Sequence, residues 1–188
     1  ADISEFSDFS VEEGKNLSKK GHDQLFSRID QMKTPVIAAV NGFALGGGLE
    51  LAMAAHVRIF SENARVGLPE TSLGVIPGYG GTQRLAQIAG KGRAMQMVLS
   101  AEMIDAATAL NYGITNKVVP LEELMEAAKK MAKKIIKNSP MAVAKAIQCI
   151  NANYTSGVDG LAFEVNTFGE CFGTPDFKEG TSAFLEKR

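Results

Sequence analysis

Residues 35–52, PVIAAVNGFALGGGLELA, carry the strongest signal of the fold. Residues 36–40 form a continuous apolar run between a proline and Asn-Gly, which is typical of a strand buried on both faces. Three glycines at 46–48 follow, and the composition of residues 49–55 favours a helix. The segment therefore predicts a strand, a glycine turn that allows close approach of a ligand to the backbone, and a helix.

The flanking sequence extends this alternation of strands and helices. Upstream, Ser10-Val11-Glu12-Glu13 is a capping box, and the helix that it opens is predicted to reach about Lys33, before Pro35. Downstream, the patterns predict strands at 57–60, 64–67 and 116–119 and helices at about 82–89, 92–101 and 105–112. Residues 1–120 therefore have the pattern of an α/β protein.

After Pro120 the sequence becomes helical throughout. A stripe of apolar residues recurs at helical spacing at Leu121, Leu124, Met125, Ala128, Ala132, Ile135 and Ile136. Glutamates occupy the first turns of this helix and lysines its end, which complements the helix dipole. Apolar spacing predicts two further helices, one around 143–150 and one around 161–172. This change predicts a domain boundary between residues 1–120 and 121–188.

Composition excludes several classes of protein. The 188 residues are 45% hydrophobic and 22% charged with a net charge of −1, so the basic footprint of a nucleic-acid-binding protein is absent. No apolar run is long enough to cross a membrane, and HExxH and CxxC patterns are missing, so we expect no metal. Cys149 and Cys171 could form a disulfide, but buried thiols and a cytoplasmic location are the expectation.

Two glutamates are candidates for chemistry. Glu50 lies three residues after Gly47 near the start of the predicted helix, and Glu70 follows Pro69 in a loop-like stretch before a second glycine-rich segment. A carboxylate beside backbone N–H donors suits proton transfer on a carbonyl compound. The spacing leaves an alternative, in which the glycines only tighten turns and the glutamates face water.

Residues 35–52 resemble the signature segment of the enoyl-CoA hydratase/isomerase (crotonase) family. Residues 67–70 and 73–85 resemble its second block, and Ala1-Asp2-Ile3 resembles the end of its Gly-Ala-Asp oxyanion turn. The resemblance covers essentially the whole chain. It implies a crotonase-type spiral of ββα turns in 1–120, followed by the helical segment 121–188, which would pack on neighbouring subunits in a trimer or a dimer of trimers.

The resemblance also implies roles for individual residues. Glu50 and Glu70 match the two carboxylates of the hydratases, with Glu50 acting mainly as base toward one water and Glu70 supplying a proton to Cα. The backbone N–H groups of Ala1 and Gly47 would form the oxyanion hole. No cofactor is implied, because coenzyme A is part of the substrate. The substrate-binding positions by this resemblance are Asp2, Ile3, Gly46, Gly78 and Tyr79.

The presence of both acids favours a hydratase of short enoyl-CoA esters. Two alternatives remain: a double-bond isomerase or other acyl-CoA enzyme of the same fold, and a non-catalytic binding or assembly module. Family members carry a segment before the oxyanion turn, so we expect this chain to lack the family's N-terminal part. Candidates for the wall of the acyl pocket are Tyr79, Met95, Met97 and Leu99, the last three being equally compatible with the core.

Overall fold

The structure, a computed structural model, describes the backbone of residues 3–188 and the side chains of residues 4–188. The chain forms two compact units. The first contains the described residues up to Asp30 together with Val36–Met131, and the second contains Gln31–Pro35 and Ala132–Arg188. The predicted boundary between 1–120 and 121–188 stays a prediction.

Two small sheets organise the first unit. In one sheet the parallel strands β1 (Ile37–Val40), β3 (Val57–Ser61) and β6 (Lys117–Val119) lie in the order β1-β3-β6. In the other, β2 (Phe43–Leu45) pairs in parallel with β4 (Arg65–Gly67), and β4 pairs antiparallel with β5 (Met103–Asp105). The strands β2 and β5 were not predicted, because the sequence at 43–45 and 103–105 has no apolar run or alternation that distinguishes a strand from a loop.

The strand β1 is less buried than its sequence predicts. Ile37, Ala38 and Ala39 are half-buried and Val40 is buried. The reason is that β1 lies at the edge of its sheet, so its apolar run does not have the cover of a central strand.

The helical segment before β1 also differs in detail from the prediction. A short 3₁₀ turn, Ile3–Glu5, is followed by α1 (Val11–Gly21), a π-helical turn at His22–Phe26, and α2 (Ser27–Asp30). The capping box at Ser10 is confirmed: the Ser10 hydroxyl accepts from the Glu13 N–H, and the Glu13 carboxylate accepts from the Ser10 N–H. The predicted helix is present from Val11 to Asp30; it contains one π-helical turn and ends three residues before the predicted Lys33.

The remaining helices of the first unit enclose its core. They are α3 (Gly47–Ala54), α4 (Gly81–Ala89), α5 (Lys91–Ser100), α6 (Ala106–Asn111) and the start of α7 (Leu124–Ile135), with 3₁₀ turns at Pro69–Leu73 and Leu121–Glu123. The largest fully buried apolar side chains are Phe60, Leu49, Ile59, Leu68, Leu85, Met97, Ile114 and Val66. None of the helices within the described range is both long and apolar enough to span a bilayer.

The stripe predicted along α7 is buried only in part. Leu124 and Ala128 pack with Ile59 and Val119, whereas Leu121 and Met125 are exposed in the single chain. Ile136 lies just beyond the helix and is also exposed. Apolar spacing therefore identified the helix but overestimated the width of its buried face.

The second unit is helical in all its regular structure. It contains the end of α7 and then α8 (Pro140–Ala152), α9 (Gly160–Phe172) and α10 (Pro175–Leu185), of which α10 was not predicted. Lys145 on α8 pairs with Glu170 on α9, and Ser139 before α8 bonds Asp176 on α10. The two cysteines are free thiols, as expected, and they are half-buried, which is less than the expected burial.

Arg58 provides a test of the first unit. The side chain is buried in β3, its Nε donates to Ile114 O and its Nη1 to Ala55 O, each at 2.6 Å, and burial lowers its pKa. Arg58→Met leaves both carbonyls without this donor, so we expect the free energy of unfolding in urea to fall by about 3 kcal/mol. Arg65→Met, at an exposed position, is the control and should change it by less than about 0.5 kcal/mol. Equal effects of the two substitutions on the free energy of unfolding would contradict a stabilising role for the buried Arg58 side chain.

Candidate active site

The pairing of β2 with β4 positions both candidate carboxylates. These strands are parallel, with Leu45 opposite Gly67, and the Gly46 N–H continues the ladder by donating to Gly67 O at 2.9 Å. The chain enters α3 after β2 and the 3₁₀ turn after β4. Because the carboxyl ends of parallel strands share one edge of a sheet, Glu50 and Glu70 come to one place although they are twenty positions apart in the sequence.

Glu50 is almost completely buried, with 1% of its surface exposed. Its Oε1 accepts from the Tyr79 N–H at 2.8 Å and from the Gly81 N–H at 2.7 Å. Gly81 is the first residue of α4, so the carboxylate lies at a helix N-terminus, where unpaired N–H groups and the helix dipole favour negative charge. The alternative in which Glu50 faces water is therefore wrong.

Glu70 lies within the range of the Glu50 charge but has a different environment. It is half-buried, and no donor among the described residues reaches its buried Oε2. Burial raises the pKa of the Glu70 carboxyl, its own backbone N–H opposes that effect, and the Glu50 charge adds to the rise. The site therefore combines one carboxylate held by two amides with a second that binds its proton more tightly than usual.

The other predicted site residues within the described range surround this pair. Glu70 Oε1 lies 2.9 Å from the point that a Cβ on Gly46 would occupy. Gly47 begins α3, so its N–H belongs to the helical N–H groups that have no intrahelical acceptor. The Tyr79 ring lies beside Gly47 and stacks on Phe26 with 4.6 Å between centroids, and the Gly78 carbonyl accepts from Ser18 Oγ.

Several predictions are not supported by the structure or lie beyond it. Ala1 and Asp2 lie outside the described residues, as does the side chain of Ile3. Met97 is a fully buried core residue, whereas Met95 and Leu99 are exposed, as expected for opposite faces of an amphipathic α5. The roles assigned to the site residues stay predictions.

Sequence reasoning missed two residues that contact the site. Gly81 donates to Glu50, and Arg84 Nη1 donates to the Tyr79 carbonyl at 3.1 Å. Both belong to the glycine-rich block at 73–85, but a backbone donor leaves no side-chain signature in a sequence. Within residues 4–188, no group of three or more histidine, cysteine, aspartate or glutamate side chains could hold a metal ion.

Solved structures with this architecture are enzymes of the crotonase fold, which confirms the predicted α/β fold class. The crystal structure of enoyl-CoA hydratase from Bacillus anthracis matches with a TM-score of 0.92 at 40% identity, over 100% of this chain and 73% of that chain. A form of enoyl-CoA hydratase subunit I from Geobacillus kaustophilus matches with a TM-score of 0.91 at 39% identity, over 100% of this chain and 72% of that one.

The sequence comparisons define the family. The family model for enoyl-CoA hydratase/isomerase matches residues 1–188. The short-chain-enoyl-CoA hydratase of Clostridium acetobutylicum is 49% identical over 189 residues, and the crotonyl-CoA hydratase of Syntrophomonas wolfei is 44% identical over 189 residues. Each alignment covers 100% of this chain and 72% of the relative. The chain belongs to the enoyl-CoA hydratase/isomerase family.

The raised pKa of Glu70 predicts a pH-dependent cost to stability. A folded-state pKa above the ordinary 4.5 means that the folded protein binds this proton more tightly than the unfolded chain. Stability is therefore lost as the pH rises from 4.5 through the folded-state value, and none is lost below both values. Glu70→Gln should raise the melting temperature at pH 7, and this gain should shrink below pH 4.5.

The control for this measurement is Glu62→Gln, which removes the same charge from an exposed position. Calorimetry of both variants at pH 4 and pH 7 separates the local effect from the change in net charge. A gain at Glu70 that is independent of pH, or that Glu62→Gln reproduces, would contradict the assignment.

Proposed function

We propose that this chain catalyses the reversible addition of water to a trans-2-enoyl-CoA, giving a 3-hydroxyacyl-CoA. One observation carries the proposal: Glu50 and Glu70 lie close to the N-terminus of α4, and the two carboxylates have different environments. Both Glu50 and Glu70 are needed for this reaction, because one proton must leave water while another reaches the adjacent carbon.

The two environments fit two roles. Glu50, fixed through Oε1 by two amides, would hold the attacking water and take its proton as the oxygen bonds to the β carbon of the substrate. Glu70, whose pKa is raised by burial, would supply the proton to Cα. Because neighbouring carboxylates titrate as a coupled unit, the two glutamates would act together in proton transfer.

The developing negative charge on the thioester oxygen requires donors as well. The N–H of Gly47 at the start of α3 would supply one, and the N–H of Ala1 is the second donor that we propose. A single oxyanion donor contributes about 10²–10³ in rate. Asp2, Ile3, Gly46, Gly78 and Tyr79 would bind the substrate around these donors, and coenzyme A would enter as part of the substrate with no cofactor.

The names of the relatives support a short acyl chain. The two relatives at 49% and 44% identity are called short-chain-enoyl-CoA hydratase and crotonyl-CoA hydratase. We therefore propose crotonyl-CoA as a good substrate, and kcat/KM should fall as the acyl chain is lengthened.

We also propose that the protein acts in the cytoplasm.

The decisive experiment follows the loss of the ultraviolet absorbance of crotonyl-CoA. We expect the purified protein to turn the substrate over and Glu50→Gln and Glu70→Gln each to reduce kcat by about 10²–10⁴-fold, since each removes a proton-transfer group. Glu62→Gln, which makes the same chemical change at an exposed site, should retain full activity. Circular dichroism of each variant checks that it is folded.

Analysis of the product separates hydration from isomerisation. A hydratase yields 3-hydroxybutyryl-CoA, whereas an isomerase moves the double bond and adds no oxygen. Absence of turnover in the folded wild-type protein, or a product without added water, would refute the proposed function.

We propose that the active form is a trimer or a dimer of trimers. The second unit exposes a set of large apolar side chains in the single chain: Ile136, Ile150, Leu161, Val165, Phe168, Phe172, Phe184 and Leu185. So much exposed apolar surface is unusual in a monomer and fits burial against further copies. Sedimentation equilibrium should give three or six chains, and a monomer at micromolar concentration would contradict this assembly.

A further inference from the structure

The turn at Tyr79–Gly80–Gly81 lies between a carboxylate and a guanidinium. On one side, the N–H groups of Tyr79 and Gly81 both donate to Glu50 Oε1. The peptide unit between these two donors carries the Tyr79 carbonyl, which accepts from Arg84 Nη1 at 3.1 Å. The N–H groups of the outer two peptide units are therefore directed toward the anion, and the carbonyl of the middle unit is directed toward the cation, so the three dipoles share one sense.

This arrangement requires unusual backbone geometry. Gly80 has φ 99° and ψ 7°, a left-handed conformation that lets N–H groups two residues apart converge on one anion. A Cβ on Gly80 would lie 2.3 Å from Arg84 Nη1, and a Cβ on Gly81 would lie 2.8 Å from Glu50 Oε1. One glycine thus makes space for the guanidinium and the next makes space for the carboxylate.

Arg84 is itself fixed in position. Its side chain is only 13% exposed, and its Nη2 lies 3.5 Å from Asp30 Oδ2 at the end of α2. Its backbone N–H donates to Gly80 O at 2.8 Å, so both the main chain and the side chain of Arg84 hold the turn. The guanidinium can contact two partners at once because its donors form a rigid planar fork.

We propose that Arg84 is a positioning residue for the reaction, acting through the Tyr79–Gly81 turn on Glu50. By holding the Tyr79 carbonyl, it fixes the direction of the two N–H groups that orient the carboxylate toward its water. This inference rests on the proposed hydratase function. Arg84 does not touch the reacting atoms, and its effect comes from geometry, since a displacement of 1 Å at a catalytic group costs about 10²-fold in rate.

The kinetic test compares three variants with crotonyl-CoA as substrate. Arg84→Gln should lower kcat by about 10²-fold with little change in KM, because the loss lies in orienting Glu50 and not in binding the substrate. Arg84→Lys should recover part of kcat, since an ammonium can still donate to one partner. Arg93→Gln should be neutral; Arg93 also contacts a carbonyl and a tyrosine ring, Asn111 O and Tyr112, but lies outside the site.

A second readout is independent of activity. Hydrogen exchange followed by NMR should show protected N–H groups at Tyr79 and Gly81 in the wild-type protein. In Arg84→Gln these two amides should exchange at least about tenfold faster, as expected for local opening, while core amides such as that of Leu85 stay protected. If Arg84→Gln does not fold, Asp30→Asn replaces it, with the same pattern expected at smaller amplitude.

The outcomes separate the two hypotheses. A lower melting temperature in Arg84→Gln with unchanged kcat and unchanged protection at Tyr79 and Gly81 would overturn the inference. Arg84 would then only stabilise the fold. A folded wild-type protein without hydratase activity would refute the proposed function instead. In that case the exchange of the two amides alone decides whether Arg84 orients the turn.

Discussion

The parallel pairing of β2 with β4 is the interaction on which the site depends. It covers only three residue pairs, and the bond from the Gly46 N–H to Gly67 O extends it into the candidate active site. A shift of this register by one residue would turn Gly67 away from Leu45 and would separate the start of α3 from the turn that carries Glu70. The two carboxylates therefore share a site because backbone hydrogen bonds, and not their own side chains, bring them together.

Placing a half-buried carboxylate within range of the charge of a buried one is unfavourable, and the structure offsets the cost unevenly. Glu50 receives two backbone donors and the N-terminus of α4, whereas Glu70 Oε2 has no donor among the residues that the structure describes. The ionised form of Glu70 is therefore destabilised, and its pKa is raised by burial and by the Glu50 charge. Such local instability is common where a site is built for proton transfer, because a fully satisfied carboxylate would have little tendency to exchange its proton.

Some parts of this architecture could be predicted from residues alone and others could not. The strand at 37–40, the helix opened by Ser10 and the helices α4 and α5 follow from apolar spacing and capping chemistry. The π turn at His22–Phe26 and the three-residue strands β2 and β5 depend on tertiary contacts that no local pattern encodes. For the site, Glu50 and Glu70 were found through a family resemblance, since their spacing alone left open that both face water. The hydrogen bond from Gly81 to Glu50 was not predicted, because a backbone N–H is common to every residue except proline.

The glycines of the second block show why such a segment is hard to interpret from sequence. Their spacing matches no phosphate-binding pattern, and in the structure the turn binds a carboxylate of the protein itself. The same physics that lets a glycine-rich turn cradle an external anion holds Glu50 here, because converging N–H groups and a helix N-terminus favour any negative charge. With Arg84 bound to the Tyr79 carbonyl, the backbone dipoles of the turn lie between a cation and an anion. A glycine-rich turn next to a buried acid can therefore hold a side chain of the protein itself and need not be a binding loop for a ligand.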